Sequence, residues 1–127
     1  MSLDRETLTP IEQKMVERFI SSVSDIKGVK YLYLFGSRAR LEGHAESDID
    51  IAVVVRGKNI VKKITGYIID LSVRRAEELG ISGDLMLSPM VIEESLLKAR
   101  VGIGKRIKEE GILLWPTKLT IKKEKVI

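Results

Sequence analysis

Val29-Lys30-Tyr31-Leu32-Tyr33-Leu34-Phe35-Gly36-Ser37, followed after a short interval by Ser47-Asp48-Ile49-Asp50-Ile51-Ala52-Val53-Val54-Val55, decides how this chain folds. The run from Val29 to Phe35 is rich in β-branched and aromatic residues and predicts a strand. It runs straight into Gly36-Ser37. Arg38 to Leu41 then read as a short helical turn, and Gly43 to Ser47 as a loop. Ile49 to Val55 predicts a second strand, closed by Arg56-Gly57. Beyond Asp50 its residues are all apolar, so the strand is expected to be central and buried on both faces. Asp48 and Asp50 stand two apart at its start. Strand side chains alternate, so both carboxylates point the same way.

Working outward, Met1 to Leu8 read as a loose leader. Thr9-Pro10-Ile11-Glu12 is a helix start, with Thr9 as cap, proline at the first helical position and Glu12 completing a capping box. Ile11, Met15, Val16, Phe19, Ile20 and Val23 follow at helical spacing on one face, and Lys27-Gly28 ends the unit. After the second strand, Asn59 to Leu79 is helical, with Ile60, Ile64, Ile68, Leu71 and Leu79 on one side, and Gly80 stops it. A third strand is expected from about Gly83 to Leu87. Ser88-Pro89 reads as a capped start of another helix leading into Val91 to Ala99. Ile103 to Glu110 is a last helix, ended by Gly111, and Ile112 to Trp115 a last short strand. From Pro116 the chain is a lysine-rich tail. The expectation is one domain over residues 1–127, of α/β (α+β) class. It has a small mixed sheet of three to five strands flanked by helices.

Composition narrows the chemistry. The 127 residues suit one compact domain, and 44% are hydrophobic. The formal net charge is +4, a mild excess that fits an anionic partner but equally a solvated lysine-rich surface. There is no cysteine and one histidine, His44. Disulfides and cysteine–zinc sites are excluded, and any metal is expected to have oxygen ligands, which points to Mg²⁺ or Mn²⁺. No apolar run is long enough to span a membrane and no signal peptide is recognisable, so a cytoplasmic location is expected.

The candidate chemistry gathers around the two opening strands. Two carboxylates side by side at a buried strand repel each other and lose solvation, and a divalent cation between them removes both costs. On its own, however, an Asp-x-Asp reads as two solvated aspartates at a fraying strand end. Glycine at 36 lets the backbone turn and approach a ligand closely, and N–H groups after it, with the Ser37 hydroxyl, can cradle a phosphate. An ordinary strand-to-helix turn is the alternative. Asp84 opens the expected third strand. If that strand lies beside the second and parallel to it, Asp84, Asp48 and Asp50 meet at one end of the sheet, enough to position two Mg²⁺ ions. A simple turn aspartate is again the alternative. Arg38 and Arg40 read as solvated turn residues, His44 as an exposed loop residue, Tyr31 and Tyr33 as packing on one sheet face, and Trp115 as a core or subunit-contact anchor. The basic tail is expected to be solvated rather than bound to nucleic acid.

Gly36-Ser37-Arg38-Ala39-Arg40, a short loop, and Ser47-Asp48-Ile49-Asp50-Ile51-Ala52-Val53 together resemble the signature of the DNA polymerase β-like nucleotidyltransferase superfamily. They are closer still to its minimal nucleotidyltransferase (MNT) branch, small proteins often encoded beside HEPN-domain partners. The chain departs from the pattern at Leu41, where many relatives carry glycine. The resemblance implies the polymerase β-like fold and a Mg²⁺- or Mn²⁺-dependent transfer of a nucleoside monophosphate, AMP from ATP, to a hydroxyl acceptor. It assigns Gly36, Ser37 and Arg38 to the nucleotide, Asp48 and Asp50 to the metal, and Asp84 as the third carboxylate, shared between metal and catalysis. It implies that the acceptor is a tyrosine hydroxyl on a HEPN-type partner, an RNase toxin, with this chain as its antitoxin. Two alternatives stand beside it: a non-catalytic nucleotide-binding or contact antitoxin, and a small-molecule nucleotidyltransferase of aminoglycoside type. Homo-oligomerisation is left open.

Overall fold

The computed structural model describes residues 8–36, 39, 48–80 and 87–116. Helix α1 (Pro10–Val23) begins as its capping box requires. The Thr9 hydroxyl accepts from the Glu12 backbone N–H at 3.3 Å, and the Glu12 carboxylate accepts from the Thr9 N–H at 2.8 Å. This reciprocal pair satisfies two otherwise orphaned donors and lets Glu12 be buried. Met15, Val16, Phe19 and Val23 are wholly buried, as their spacing predicts, whereas Ile11 is 46% exposed. Ile11 lies in the first turn, at the edge of the apolar stripe. Leu8, the last residue of the expected leader, is buried in the core instead.

Strands β1 (Val29–Phe35) and β2 (Ile49–Val55) pair antiparallel. Helix α2 (Lys58–Glu78) follows, then strand β3 (Leu87–Glu93), a short 3-10 helix η1 (Glu94–Lys98), helix α3 (Ile103–Glu110) and strand β4 (Ile112–Trp115). The sheet order is β3-β2-β1-β4, with β4 antiparallel to β1 and β3 parallel to β2. A parallel pair needs a long crossover, which α2 provides. The result is the expected mixed α/β sheet with helices on both sides.

The central strand separates two cores. Ile49, Ile51, Val53 and Val55 face one side, with α1 and with Ile68, Leu71 and Ala76 of α2. Ala52 and Val54 face the other, with Ile92, Leu97 of η1 and Ile107 of α3, flanked by Tyr31, Tyr33 and Phe35. Each fully buried aliphatic side chain contributes about 1.5–3 kcal/mol, so β2 organises the packing of both layers. Tyr31 and Tyr33 pack on one face as expected, their ring centroids 6.2 Å apart, and Trp115 packs against the first core. Within α2, Glu78 meets Arg75 at 2.6 Å, and across the α1–α2 contact it meets Arg18 at 3.7 Å. The hydrogen bond from Arg75 is the main reason the Glu78 carboxyl is held below its ordinary value. Glu78 and Arg18 are exposed, so the pair between the helices contributes little to stability.

One expected helix is replaced by a strand. Ser88-Pro89 does not start a helix: Leu87–Glu93 is a strand, and only Glu94–Lys98 winds, as a 3-10 turn. Serine followed by proline is a helix-start signal, but pairing with β2 along the whole of Ile49–Val55 outweighs it. Proline is tolerated there because β3 is an edge strand of this sheet. Of the strand expected over Gly83 to Leu87, only Leu87 lies among the described residues. The leader up to residue 7, the helical turn at Arg38 and Arg40, His44 in its loop, and the tail from residue 117 also fall outside them.

Helix α3 packs close to η1 at Gly104, where a Cβ would collide with the Leu96 carbonyl. Gly104→Ala should therefore destabilise the protein by about 1–3 kcal/mol, the usual cost of overpacking. Gly66→Ala, in open space in the middle of α2, should instead stabilise by up to about 1 kcal/mol, because glycine is a poor helix former. Urea unfolding midpoints of the two variants should move in opposite directions.

Candidate active site

Three strand ends meet at one end of the sheet. β1 finishes there at Phe35, while β2 starts at Ile49 and β3 at Leu87. Asp48 immediately precedes β2 and is exposed, whereas Asp50, inside the strand, is half-buried. Between them Ile49 points into the first core and is fully buried. Alternation thus puts both carboxylates on the face of Ala52 and Val54, the face that η1 and α3 cover at its far end.

Asp50 has a defined neighbour on each side. It pairs with Phe35 of β1 and with Ser88 of β3, so Phe35, Asp50 and Ser88 form one row across the sheet. Directly after Phe35, Gly36 adopts φ +77°, the left-handed region that favours glycine. A Cβ built on Gly36 would fall on the Asp50 carboxylate oxygen Oδ2. Two separate constraints, backbone angle and space, therefore require glycine at 36. The structure brings Gly36 and Asp50 together, with Asp48 two residues earlier in the chain.

Ser37, Arg38 and Asp84 lie outside the described residues. Leu87, three positions after Asp84, pairs with Ile49, and β3 runs parallel to β2. That is the strand adjacency and direction on which the Asp84 reading depends. Among the described residues no group of three or more His, Cys, Asp or Glu could hold a metal ion. The pair Asp48–Asp50 fits a hard divalent cation: it offers carboxylate oxygens only, open to solvent at Asp48 and walled by Phe35 and Gly36 at Asp50. One row further along the same face stands Tyr33, opposite Ala52. Burial, and after it the neighbouring Tyr31, push its hydroxyl above the ordinary value of 10.0, so it stays neutral.

The family described as polymerase beta nucleotidyltransferase matches residues 17–118, which run from the middle of α1 to just past β4. The chain belongs to that family. Its reaction class is therefore nucleotidyl transfer, and the Gly36 turn and the Asp48–Asp50 pair lie inside the matched span of this nucleotidyltransferase. A solved structure from Sulfolobus solfataricus, assigned as a nucleotidyltransferase, is similar over 93% of this chain and 94% of its own, at 22% identity and a TM-score of 0.50. That likeness is one of fold. A toxin–antitoxin structure with AMP-PNP is similar over 88% of this chain and 83% of its own, at 23% identity and a TM-score of 0.48. The toxin–antitoxin MntA-HepT structure is similar over 87% and 80%, at 20% identity and a TM-score of 0.41. No curated protein matches the chain in sequence.

Sequence reasoning missed Ser88 as a neighbour of Asp50, because Ser-Pro was read as a cap. The available signal was the apolar run on either side, Leu85-Met86-Leu87 and Met90-Val91-Ile92, which together suit a strand. Gly36→Ala should keep the fold, at a cost of about 1–3 kcal/mol for the strained backbone. It should also displace the Asp50 carboxylate. Calorimetry should show Mn²⁺ binding weakened about tenfold or more, and wild-type affinity in this variant would remove Gly36 from the site.

Proposed function

We propose that the chain transfers AMP from ATP to a hydroxyl acceptor on a HEPN-type toxin, and that this modification is its antitoxin activity. The observation that carries the transfer chemistry is the contact between the bare Gly36 backbone and the Asp50 carboxylate, in a chain of nucleotidyltransferase family. A turn that admits no side chain, set against a half-buried acid, suits a triphosphate held between backbone N–H groups and a cation. The toxin partner rests on the resemblance of Gly36 to Arg40 and Ser47 to Val53 to the MNT branch. No described helix is long and apolar enough to cross a membrane, and a cytoplasmic location, where ATP is at hand, suits this reading.

Each residue has a part in the proposed reaction. Asp48 and Asp50 hold the divalent cation, Mg²⁺ or Mn²⁺. When bound, that ion neutralises triphosphate charge and makes the acceptor hydroxyl more acidic. Gly36 and Ser37 hold the β- and γ-phosphates with N–H groups and the serine hydroxyl, and Arg38 offsets their charge. The acceptor oxygen attacks the α-phosphorus as the bond to the β-phosphate oxygen breaks, and pyrophosphate leaves. Asp84 acts as the third carboxylate and takes the acceptor's proton.

Replacing both Asp48 and Asp50 by Asn should abolish Mn²⁺ binding and transfer, and with them protection from the toxin. Protection that survives the double substitution would favour the contact antitoxin instead. In calorimetry, ATP should bind more tightly with Mg²⁺ than with EDTA, and equal affinities would count against the cation. Asp84→Asn should lower transfer about a hundredfold, as expected for loss of a general base, while ATP binding persists. Unchanged turnover in that variant would return Asp84 to the role of a turn residue.

A further inference from the structure

A polar cleft lies between α1 and α2. On α1, Lys14, Glu17, Arg18, Ser21 and Ser22 recur at i, i+3, i+4, i+7 and i+8. They share one helix face, which runs about 12 Å along the axis. Arg75 and Glu78, near the end of α2, line the other side. The cleft has a volume of about 600 Å³, the size of a small-molecule site. α1 and α2 cover the sheet face of Ile49, Ile51, Val53 and Val55, opposite the face that carries Asp50. The cleft is thus separate from the candidate active site and independent of the transfer reading.

Its cations are only partly paired. Glu78 is the one carboxylate that serves both arginines: it accepts from Arg75 Nη1 at 2.6 Å and lies 3.7 Å from Arg18. The other edge of the Arg75 guanidinium, Nε with Nη2, is the edge that takes an oxyanion side-on. Nε is the buried side-chain polar atom that lacks a hydrogen bond among the described residues. Among those residues Lys14 makes no ion pair, and the Ser21 and Ser22 hydroxyls make no hydrogen bond. An orphaned N–H on a guanidinium that is 24% exposed costs stability, and the exposed Arg18–Glu78 pair returns little. Holding the two helices together therefore does not account for this arrangement.

We infer that the cleft binds a small phosphate monoester, its phosphate held by the free edge of Arg75, by Arg18 and by Lys14, and its carrier a hydroxylated carbon chain. Three cations match a group of charge about −2. Its three terminal oxygens accept more donors than the two of a carboxylate, and the arginines and serines supply them. Glu17 accepts only a 3.4 Å hydrogen bond from Gln13, which leaves its carboxylate able to accept from hydroxyls of the carrier. No aromatic side chain lines the cleft, so a nucleobase has nothing to stack on. Glu78 holds both arginines in the free protein and competes with the incoming phosphate for them.

The test is a titration of the ¹⁵N-labelled full chain, followed by two-dimensional NMR. EDTA is present to remove metal-dependent binding at Asp48 and Asp50. The probes are glycerol 3-phosphate, inorganic phosphate and succinate. Glycerol 3-phosphate should shift the amides of Arg18, Ser21, Ser22 and Arg75 and leave those of Gly36 and Ala52 in place. It should bind at least about threefold more tightly than inorganic phosphate and about tenfold more tightly than succinate, the scale of one neutral and one charge-assisted hydrogen bond. Arg18→Ala should weaken it about tenfold. Glu78→Gln removes the competing charge and should strengthen it about three- to tenfold. Both substitutions are at exposed side chains, so the fold should tolerate them. A cluster that serves only as ion pairs gives no amide shift in the cleft with any probe, and that result would overturn the assignment. So would unchanged affinity in Arg18→Ala, weaker binding in Glu78→Gln, or succinate or inorganic phosphate binding as tightly as the ester.

Discussion

Strand β2 has no solvent face along its apolar run, and the rest of the fold is arranged to cover it. Odd-numbered residues from Ile49 to Val55 need one apolar layer, and α1 and α2 supply it. Ala52 and Val54 need another, which comes from η1, α3 and the aromatic residues of β1. A strand buried in this way must also pair on both edges, or its N–H and C=O groups would be left without partners. β1 and β3 fill those places. Packing and backbone hydrogen bonding thus require the same three-strand centre.

The cover ends where β2 begins, and the chemistry gathers there. Asp50 is the first acid inside the strand, half-buried between an aromatic residue and a hydroxyl. A carboxylate in that position is costly unless something compensates its charge. The antiparallel return of β1 brings Gly36 to the same end, and the parallel run of β3 brings its own first residues there too. One antiparallel and one parallel neighbour therefore deliver three chain segments to one place, an arrangement that a purely antiparallel meander of these strands would not give.

Much of this could be read in the chain. The capping box at Thr9 and Glu12 depends on residues three apart, and it forms as read. The central strand follows from an unbroken apolar run, and the glycine turn after β1 from a strand that runs straight into Gly36. What misled was equally local. Ser88-Pro89 carries a helix-start signal over two residues, and pairing along seven residues of β2 overrides it. Ile11 fits the helical period but lies at the edge of the apolar stripe and stays exposed, while Leu8 lies outside the helix and is buried.

By itself the sequence determined the elements with strong periodicity, the all-oxygen character of any metal site and the need for glycine after β1. Those follow from residue type and short-range spacing, which travel with the chain wherever it goes. Only the tertiary structure decided that β3 is a strand, that it runs parallel to β2 and that Ser88 stands opposite Asp50. These are matters of register between segments 38 positions apart. A shift of one residue would turn every side chain of β3 to the other face. The choice is made by the packing of Leu87 into the first core and Ile92 into the second, which no local pattern contains.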